Sequence, residues 1–284
     1  MRVALDARYI RTTETEVYPS GGVGRYTYHL IKHFVKLDPE LELILIVPSG
    51  NRRPIVDDLN GSRVREIRFN APAHSTRTLF WLTRSINLEG VDIFHSPFNI
   101  LPRGLPCRSI ATILDVMWLS RPEYCTHSFL LRVAGGTFYR FGMKHALHHA
   151  TSLLTISHAS REAITAYDPE AGQHTHVTHL GLDPYFKPIS PEEAERVTAE
   201  LIAPGTPFIL SVGQGSPYKN HGRAVEAVLQ AFSERTEYQC VLVRRFSRWG
   251  DWEMKRILKR PDGQKQVIIL PHVTDAQLRG LYNR

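Results

Sequence analysis

Short apolar segments alternate with longer amphipathic segments along most of the chain. Apolar runs of strand length predict strands, and apolar residues at three- and four-residue spacing predict helices. Regular alternation of the two is typical of parallel sheets covered by helices on both faces. In the first part of the chain, strands are predicted at residues 3–7, 41–47, 64–69, 91–97, 108–116 and 152–157.

Two helices in this part have recognisable beginnings. Tyr26, Leu30 and Phe34 recur at helical spacing after a glycine-rich turn. Ser157 precedes a second helical segment, which ends near Tyr167, and a serine in that position is suited to cap the helix N-terminus.

A charged stretch with several prolines, residues 185–207, interrupts the alternation and predicts a domain junction. A second series begins at Phe208. Thr274 and Gln277 have the spacing of a capping box at the start of its last helix. The strands of this series are predicted at residues 208–212, 240–244 and 266–271.

The predicted fold class is α/β, with two Rossmann-like, doubly wound domains that face a cleft. We place the first domain at residues 1–190 and the second at residues 191–284. Ligands of such folds bind beyond the carboxyl ends of the strands. The loops that follow the predicted strands are therefore where functional residues are expected.

The composition is that of an ordinary globular protein, with 42% hydrophobic and 22% charged residues over 284 positions, a length that suits two domains. The three cysteines are widely spaced, so they predict neither a disulfide framework nor a zinc site. The first residues do not form the apolar run of a signal peptide, and we expect a cytoplasmic protein. The formal net charge of +7 favours anionic partners.

A glycine-containing loop at residues 213–220 connects a predicted strand to a predicted helix. Gly213 and Gly215 let a ligand approach the backbone, and the ammonium group of Lys219 can neutralise a phosphate. Loops in this position hold phosphate in many α/β proteins. The alternative is a lysine that is simply solvated on a surface turn.

A second glycine-rich turn, at residues 21–24, precedes the first helix. Gly22 and Gly24 match part of a dinucleotide fingerprint, but Thr27 stands where a third small residue is needed. Amides at a helix N-terminus can still bind an anion. The alternative is a tight turn without a ligand.

Histidines and one basic segment are further candidates. His174 and His176 have the spacing of residues on one strand face, but no acidic residue stands at ligand spacing, so no metal site is predicted. Residues 244–260 combine basic side chains with Trp249 and Trp252, a composition that can bind nucleic acid or an anionic membrane. The alternative, which we favour, is an amphipathic helix whose aromatic residues pack inward.

Taken in order, motifs along the whole chain resemble those of the family-4 retaining glycosyltransferases, which have the two-domain GT-B fold. The resemblance implies that a sugar is transferred from a nucleotide-diphosphate donor, without a metal or other cofactor, to a glycan or lipid-linked acceptor. It also implies a role in surface polysaccharide synthesis at the inner face of the membrane. The similar segments are MRVALDAR with GGVGRYTYHL, FHSPFNILP, TILDVMWLSRPEY, LLTISHASREAI, HLGLDPYFKP, FILSVGQGSPYKNHGRAVEAV and VIILPHVTDAQLRGLY.

The resemblance also implies roles for individual residues, although it assigns no catalytic residue. In the family, the donor diphosphate is held by a lysine loop in one domain and a glycine turn in the other. The implied residues are Gly21, Gly22, Val23, Gly213, Gln214 and Lys219 for the donor diphosphate, His272, Val273 and Asp275 for the nucleoside, and Asp115 and Arg25 for the acceptor side.

Several positions depart from the family's pattern. Leu114 stands where many members have the histidine of a His-Asp pair, Gln214 and Tyr218 replace arginines, and Arg244 replaces a glycine. The family continues for roughly another half-domain that carries a pair of glutamates. Since this chain ends at Arg284, before that motif, we expect an incomplete second domain and an inactive, truncated chain.

The first functional hypothesis is therefore a retaining hexosyltransferase, mannosyl or related. Leu114 and the absent glutamate pair motivate a second hypothesis, a non-catalytic protein that binds a nucleotide sugar or a glycan. A third, nucleic-acid binding through residues 244–260, predicts a steep salt dependence. We expect no nucleic-acid partner, and a peripheral contact with an anionic membrane would suit the basic composition.

Overall fold

The computed structural model describes residues 1–19, 21–59, 63–126, 128–244 and 252–284. The chain divides into two compact units. The first comprises Met1–Ser120 and Gly135–Leu180, and the second comprises Arg121–Ala134 and Gly181–Arg284.

The first unit is built on strands that alternate with helices. In chain order, the strands are β1 (Arg2–Asp6), β2 (Ile10–Thr12), β3 (Val17–Pro19), β4 (Glu42–Pro48), β5 (Val64–Phe69), β6 (Ile93–Ser96), β7 (Arg108–Thr112), β8 (Ser152–Thr155) and β9 (Thr175–Val177). The helices up to β9 are α1 (Gly21–Leu37), α2 (Thr76–Ser85), α3 (Met117–Ser120), α4 (Phe129–His149), which begins in the second unit, α5 (His158–Tyr167) and α6 (Pro169–Gln173).

Seven of these strands form one parallel sheet in the order β5-β4-β1-β6-β7-β8-β9, and β2 and β3 form a separate antiparallel hairpin. Successive residues of a strand point to opposite faces. Leu45 of β4 packs in one core with Ile31 of α1, whereas Ile44 packs in the other core with Met143 of α4. Burial on both faces explains why β4 is an unbroken apolar run.

The second unit contains a smaller parallel sheet with helices on both faces. Its strands, in spatial order, are β10 (Phe208–Val212), β11 (Gln239–Val243) and β12 (Val267–Leu270). Its helices after α4 are α7 (Pro191–Thr198), α8 (His221–Ala231), α9 (Trp252–Ile257), α10 (Pro261–Gln266) and α11 (Asp275–Asn283). Leu242 of β11 packs with Val225 and Met254 on one face, and Val241 packs with Leu281 on the other.

The predicted helix caps are confirmed. The Ser157 side chain accepts a hydrogen bond from the amide of Ser160. Thr274 accepts from the amide of Gln277, and the Gln277 side chain accepts from the amide of Thr274, which completes the capping box. The predicted parallel sheets are also present.

One predicted strand is too long. We expected a strand over residues 108–116, whereas β7 ends at Thr112. The amide of Leu114 donates instead to Oδ1 of Asn99 at 2.9 Å, and the Asn99 amide group donates to the Asp115 carbonyl at 3.3 Å. A side chain from a neighbouring loop thus satisfies the backbone that would otherwise extend the strand.

The division between the units also differs from the predicted boundary at residue 190. Residues 121–134 group with the second unit, and the second long segment begins at Gly181. The amide of Ile189 donates to Oδ1 of Asn283 at 3.1 Å, which ties the junction to α11. In addition, α7 lies so close to α11 that a Cβ at Gly280 would be 2.5 Å from Val197.

None of the helices in the described part of the chain has the length and apolar character needed to cross a bilayer.

Candidate functional site

The loop after β10 brings a lysine and a glycine into direct contact. The Gly213 amide donates to the Val243 carbonyl at 3.1 Å, which keeps the start of the loop in line with the sheet. A Cβ at Gly213 would lie 3.3 Å from Cδ and 3.4 Å from Cε of Lys219. The lysine side chain therefore lies across Gly213, and a larger residue there would displace it.

A short turn holds Lys219 in this place. Residues Pro217–Lys219 form a single 3-10 turn, and Asn220 follows in the left-handed conformation, with φ of 52°, at the start of α8. Lys219 is exposed, and its Nζ lies 5.0 Å from the centre of the Tyr218 ring. An exposed ammonium on a fixed turn at a strand end is suited to bind an anion from solvent.

His221 stabilises the loop through hydrogen bonds at both ring nitrogens. It is buried, with Nε2 3.3 Å from the Gln214 carbonyl oxygen and Nδ1 3.0 Å from the Ser211 hydroxyl. A carbonyl only accepts, so these partners place the proton on Nε2 and make the hydroxyl the donor to Nδ1. Sequence reasoning missed this residue, although a histidine directly after Lys219 and Asn220 was a signal that could have found it.

Gln214, predicted beside the diphosphate, is also in this loop. It is exposed, and its side-chain amide donates to the Tyr218 hydroxyl at 3.3 Å. The structure thus brings Gly213, Gln214 and Lys219 together in one short segment of the second unit. Their binding roles stay predictions.

Two further segments of the second unit lie at the same sheet edge. Arg244 follows β11, donates its amide to the Leu270 carbonyl at 3.0 Å and is only 5% exposed. His272 follows β12 and is exposed. Because β11 pairs with both neighbours, these loops and the Gly213 loop are about 5 to 10 Å apart. The segment predicted to meet the nucleoside therefore lies at the same sheet edge as the Gly213 loop.

The residues around His272 differ in what they can offer a ligand. Val273 is partly buried and packs against the apolar cluster that contains Leu281. Asp275 is exposed at the first position of α11. The nucleoside-binding role of the three residues stays a prediction.

The glycine turn of the first unit forms the first turn of α1. Gly21 has a φ of 63°, and a Cβ at Gly21 or Gly22 would meet no atom within 4 Å, so the backbone here is open to approach. Thr27 is buried, and its hydroxyl donates to the Val23 carbonyl at 2.7 Å. The residue that breaks the dinucleotide fingerprint thus bonds within the helix and does not face the open glycine turn. Arg25 is half-buried on the same helix.

Buried polar groups fix the carboxyl edge of the first sheet. Arg8 forms a two-point ion pair with Asp6, at 2.5 and 2.8 Å, and also donates to the Thr78 hydroxyl at 2.8 Å. Both charged side chains are almost completely buried. The pair joins the end of β1 to α2, and sequence reasoning used these two residues only as evidence against a signal peptide.

A second buried network joins α1 to β6 and β7. The Thr112 hydroxyl lies 3.0 Å from Nε2 of His95 and 3.2 Å from the Tyr26 hydroxyl. Burial lowers the pKa of His95 to about 4, so its imidazole is neutral near pH 7. Burial also raises the pKa of Tyr26. The network is therefore uncharged and acts through hydrogen bonds alone.

Asp115, predicted on the acceptor side, lies partly buried after β7. Its Oδ1 accepts from the Met117 amide at 2.9 Å. Leu114 is held through its backbone by Asn99, as described above, and its carbonyl accepts from the Ser160 hydroxyl at 3.0 Å. The structure thus fixes the loop that carries Asp115, while the predicted acceptor role stays a prediction.

Aromatic rings form a row at this edge, which we call the aromatic row. Trp118 and Tyr139 stack with centres 4.7 Å apart and planes at 12°. His74 is nearly parallel to Tyr139 and to Tyr9, with centres 6.4 and 6.2 Å away. Phe98 meets Tyr9 edge-on at 5.4 Å. Sequence reasoning missed this row because its rings come from separate loops, from α3 and from α4.

The structure also bears on possible metal ligands and on the aromatic residues of the basic segment at residues 244–260. In the described ranges, no group of three His, Cys, Asp or Glu side chains is placed to hold a metal ion. Of the aromatic residues in the basic segment, Phe246 and Trp249 lie outside the described residues. Trp252 is 63% exposed, with the Arg256 guanidinium 5.8 Å from its ring, so the expectation that it packs inward is wrong.

The sequence profile of the glycosyl transferase 4-like domain family matches residues 21–181, more than half of the chain. The chain belongs to this family. O-antigen chain mannosyltransferase B of Escherichia coli is 23% identical to this glycosyltransferase over 299 residues, which cover 97% of the chain and 74% of that protein.

Solved structures show the fold of this glycosyltransferase. WaaG, a glycosyltransferase involved in lipopolysaccharide biosynthesis, matches with a TM-score of 0.66 and 15% identity over 98% of this chain and 72% of that chain. Anabaena HepE in complex with UDP-glucose matches with a TM-score of 0.63 and 15% identity over 98% and 71%. The predicted family, the α/β fold of GT-B type and the glycosyltransferase function are confirmed.

Proposed function

We propose that this glycosyltransferase is a retaining hexosyltransferase, mannosyl or related, that uses a nucleotide-diphosphate sugar. The observation that carries the proposal is the Lys219 side chain lying across Gly213 at the carboxyl end of β10. The mannosyltransferase name of the Escherichia coli relative and the UDP-glucose bound to HepE support the sugar and the donor class.

In the proposed reaction, the bond between the anomeric carbon and the diphosphate oxygen breaks, and the acceptor hydroxyl forms the new bond from the same face. The hydroxyl proton passes to the departing phosphate oxygen. Lys219 stabilises the negative charge that develops on the diphosphate, because its ammonium is fixed before the donor arrives. His221 acts through the loop, since its bond to the Gln214 carbonyl holds the turn that carries the lysine.

The acceptor proposed here is a glycan or a lipid-linked glycan of a surface polysaccharide, reached from the cytoplasmic side. The carboxyl edge of the first sheet suits a neutral sugar, because aromatic rings can pack on the apolar C–H faces of a pyranose while nearby polar groups bond its hydroxyls. Trp118 and Tyr139 would supply the rings, and Asp115 a hydrogen-bond acceptor.

We also propose that transfer needs no divalent metal, because a lysine takes the role that a metal would have on the diphosphate. If the chain transfers sugar, the transfer should then continue in excess EDTA. Loss of activity on chelation, with recovery on adding magnesium or manganese, would contradict this part of the proposal.

Calorimetric titration of the Lys219→Ala variant with UDP and with GDP tests the donor site. Charged hydrogen bonds to phosphate contribute about 1.5 to 3 kcal/mol, so affinity for the preferred nucleotide should fall by roughly tenfold or more. Lys265→Ala is the matched control, since Lys265 is an exposed lysine of α10 in the same unit. Equal affinity in the wild type and the Lys219 variant would overturn the assignment.

A non-catalytic sugar-binding protein is the second candidate, and Leu114 beside Asp115 favours it because it stands where many family members have a histidine. Donor turnover separates the two candidates. Release of nucleoside diphosphate from a nucleotide sugar in the presence of a polysaccharide acceptor supports the transferase, whereas binding without release supports the second candidate.

A further inference from the structure

One surface of the first unit combines exposed aromatic rings with basic side chains. Phe80 and Phe141 stack with centres 6.0 Å apart and are 36% and 46% exposed. Trp81 packs edge-on against Phe80 and is 51% exposed. The Arg103 guanidinium lies 5.7 and 5.9 Å from the two phenylalanine rings. We call this surface, with Arg77, Arg84 and Lys144, the aromatic-basic face.

The orientation of this face is fixed by packing. Leu79 and Leu82 of α2 are buried in the unit, so Trp81 must point away from the core. The Arg103 amide donates to the Leu79 carbonyl at 2.9 Å, and the Thr83 hydroxyl donates to the Arg103 carbonyl at 2.8 Å. These bonds hold the aromatic rings in contact with solvent. Exposed apolar rings are unfavourable in water, and a cluster of them marks an interaction surface.

Positive charge surrounds the rings. Arg77 and Arg84 are exposed on α2 one turn before and one turn after the Phe80–Trp81 pair. Lys144 is exposed on α4, three residues after Phe141. Neither α2 nor α4 nor the segment at residues 99–108 contains an acidic residue. The partner of this face must therefore be both negatively charged and able to accept aromatic side chains.

We propose that the aromatic-basic face binds the headgroup layer of an anionic membrane. Aromatic rings are favoured at the depth of the headgroups, and arginine and lysine are attracted to anionic lipids within the same layer. Stacked duplex bases offer the charge but no apolar layer for partly exposed rings to enter. This inference goes beyond the proposed function, because it concerns where the protein works and is independent of donor chemistry.

Sedimentation of the full chain with vesicles tests the proposal. Vesicles of phosphatidylglycerol and phosphatidylcholine in equal amounts should bind the protein, and vesicles of phosphatidylcholine alone should bind it weakly. Binding should fall with added salt, because the basic residues are exposed. Strong salt-insensitive binding to the neutral vesicles would overturn the role assigned to charge.

Two variants locate the binding surface. Trp81→Gln with Phe141→Gln should lower vesicle binding about tenfold or more. Arg77→Gln with Arg84→Gln and Lys144→Gln should lower it on the order of a hundredfold at low salt, and these exposed sites leave the core untouched. The matched control is Trp252→Gln with Arg256→Gln, a stacked aromatic-basic pair in the second unit, which should bind vesicles as the wild type does.

The outcomes separate the alternatives. If the control variant loses binding and the first two retain it, the second unit makes the contact and the proposal is wrong. Duplex DNA that displaces the protein from vesicles, with DNA binding abolished by the arginine variant, would assign the face to nucleic acid and overturn the membrane proposal. UDP or GDP titration of each variant, with affinity unchanged, shows that the result does not depend on the donor site.

Discussion

The carboxyl edges of the two sheets are built in opposite ways. In the first unit, the edge is held by buried polar bonds, such as Asp6 with Arg8 and His95 with Thr112, and it presents stacked rings. In the second unit, the edge is a glycine loop on which a single exposed lysine lies, supported by one buried histidine. The first edge offers apolar faces and neutral hydrogen bonds, and the second offers a cation and backbone.

The difference matches the chemistry of two substrates. A sugar acceptor is neutral and has apolar faces, so a stiff aromatic surface recognises its shape. A diphosphate is small, charged and alike in every nucleotide sugar, so close backbone approach and a lysine suffice. The first edge therefore depends on buried polar bonds for its stability, and the second depends on the absence of a side chain at Gly213.

The largest expected effect is at the buried ion pair of the first edge. Asp6→Asn leaves the Arg8 guanidinium buried without its charge partner, so the free energy of unfolding should fall by about 3 to 5 kcal/mol. Urea unfolding of the full chain measures the change. Glu14→Gln is the control, because its partner Arg52 and Glu14 itself are 68% and 77% exposed, and it should cause no measurable change.

Sequence predicted the main strands of both sheets because burial on two faces leaves unbroken apolar runs, as in β4 and β11. It also predicted the caps at Ser157 and Thr274, which depend on residues three positions apart. It placed Lys219 at a strand end because the apolar run at residues 208–212 and the loop at residues 213–220 are adjacent in the sequence.

Features made by distant residues were not predictable in this way. The hairpin of β2 and β3 is absent from the predicted strands. It is anchored by Thr12, whose amide donates to the Asn51 side chain and whose hydroxyl donates to the Arg53 carbonyl. Helix α4 has apolar residues on all sides and two adjacent glycines, so it shows no clear helical period. The contact of Lys219 with Gly213 and the left-handed conformation of Asn220 are set by the folded loop, and residue spacing alone does not reveal them.

The second prediction concerns acid stability of the first edge. The pKa of His95 is about 4 in the folded protein and about 6.5 in an unfolded chain. Between these values the unfolded state binds more protons, so the stability from neutral His95 is fully present above about pH 6.5 and is lost as pH falls through about 4. The loss should approach ~3 kcal/mol.

Urea unfolding at pH 7 and at pH 4.5 checks this expectation. His95→Gln should be less stable at pH 7 but should lose less stability on acidification than the wild type does. His33→Gln, at an exposed position of α1, should keep the wild-type pH dependence. An unchanged pH dependence in the His95 variant would show that other groups control acid stability.

A smaller effect is expected at the second edge. In Gly213→Val, branched methyl groups would meet Lys219 and also His221, whose Nε2 lies 3.5 Å from the position of an added Cβ. The lysine would be displaced, and affinity for the nucleoside diphosphate should fall roughly as it does in Lys219→Ala, about tenfold. Gly181→Ala is the control, because a Cβ at Gly181 meets no atom within 4 Å. Full affinity in Gly213→Val would show that phosphate binding does not depend on the contact of Lys219 with Gly213.

The smallest effect tests whether the nucleoside segment depends on its helix cap. In Thr274→Ala, the amide of Gln277 loses its side-chain partner, and the reciprocal bond from Gln277 loses the geometry that holds it. Loss of such a cap costs about 1 kcal/mol. Amide hydrogen exchange in the first turn of α11 should therefore become roughly fivefold faster, while exchange in α5 stays unchanged. Ser157→Ala should give the opposite pattern, because it removes the cap of α5 in the first unit. If either substitution altered exchange in both helices, the stabilities of the two sheet edges would be coupled. The difference between the edges would then lie in the groups they offer to a ligand and not in independent stability.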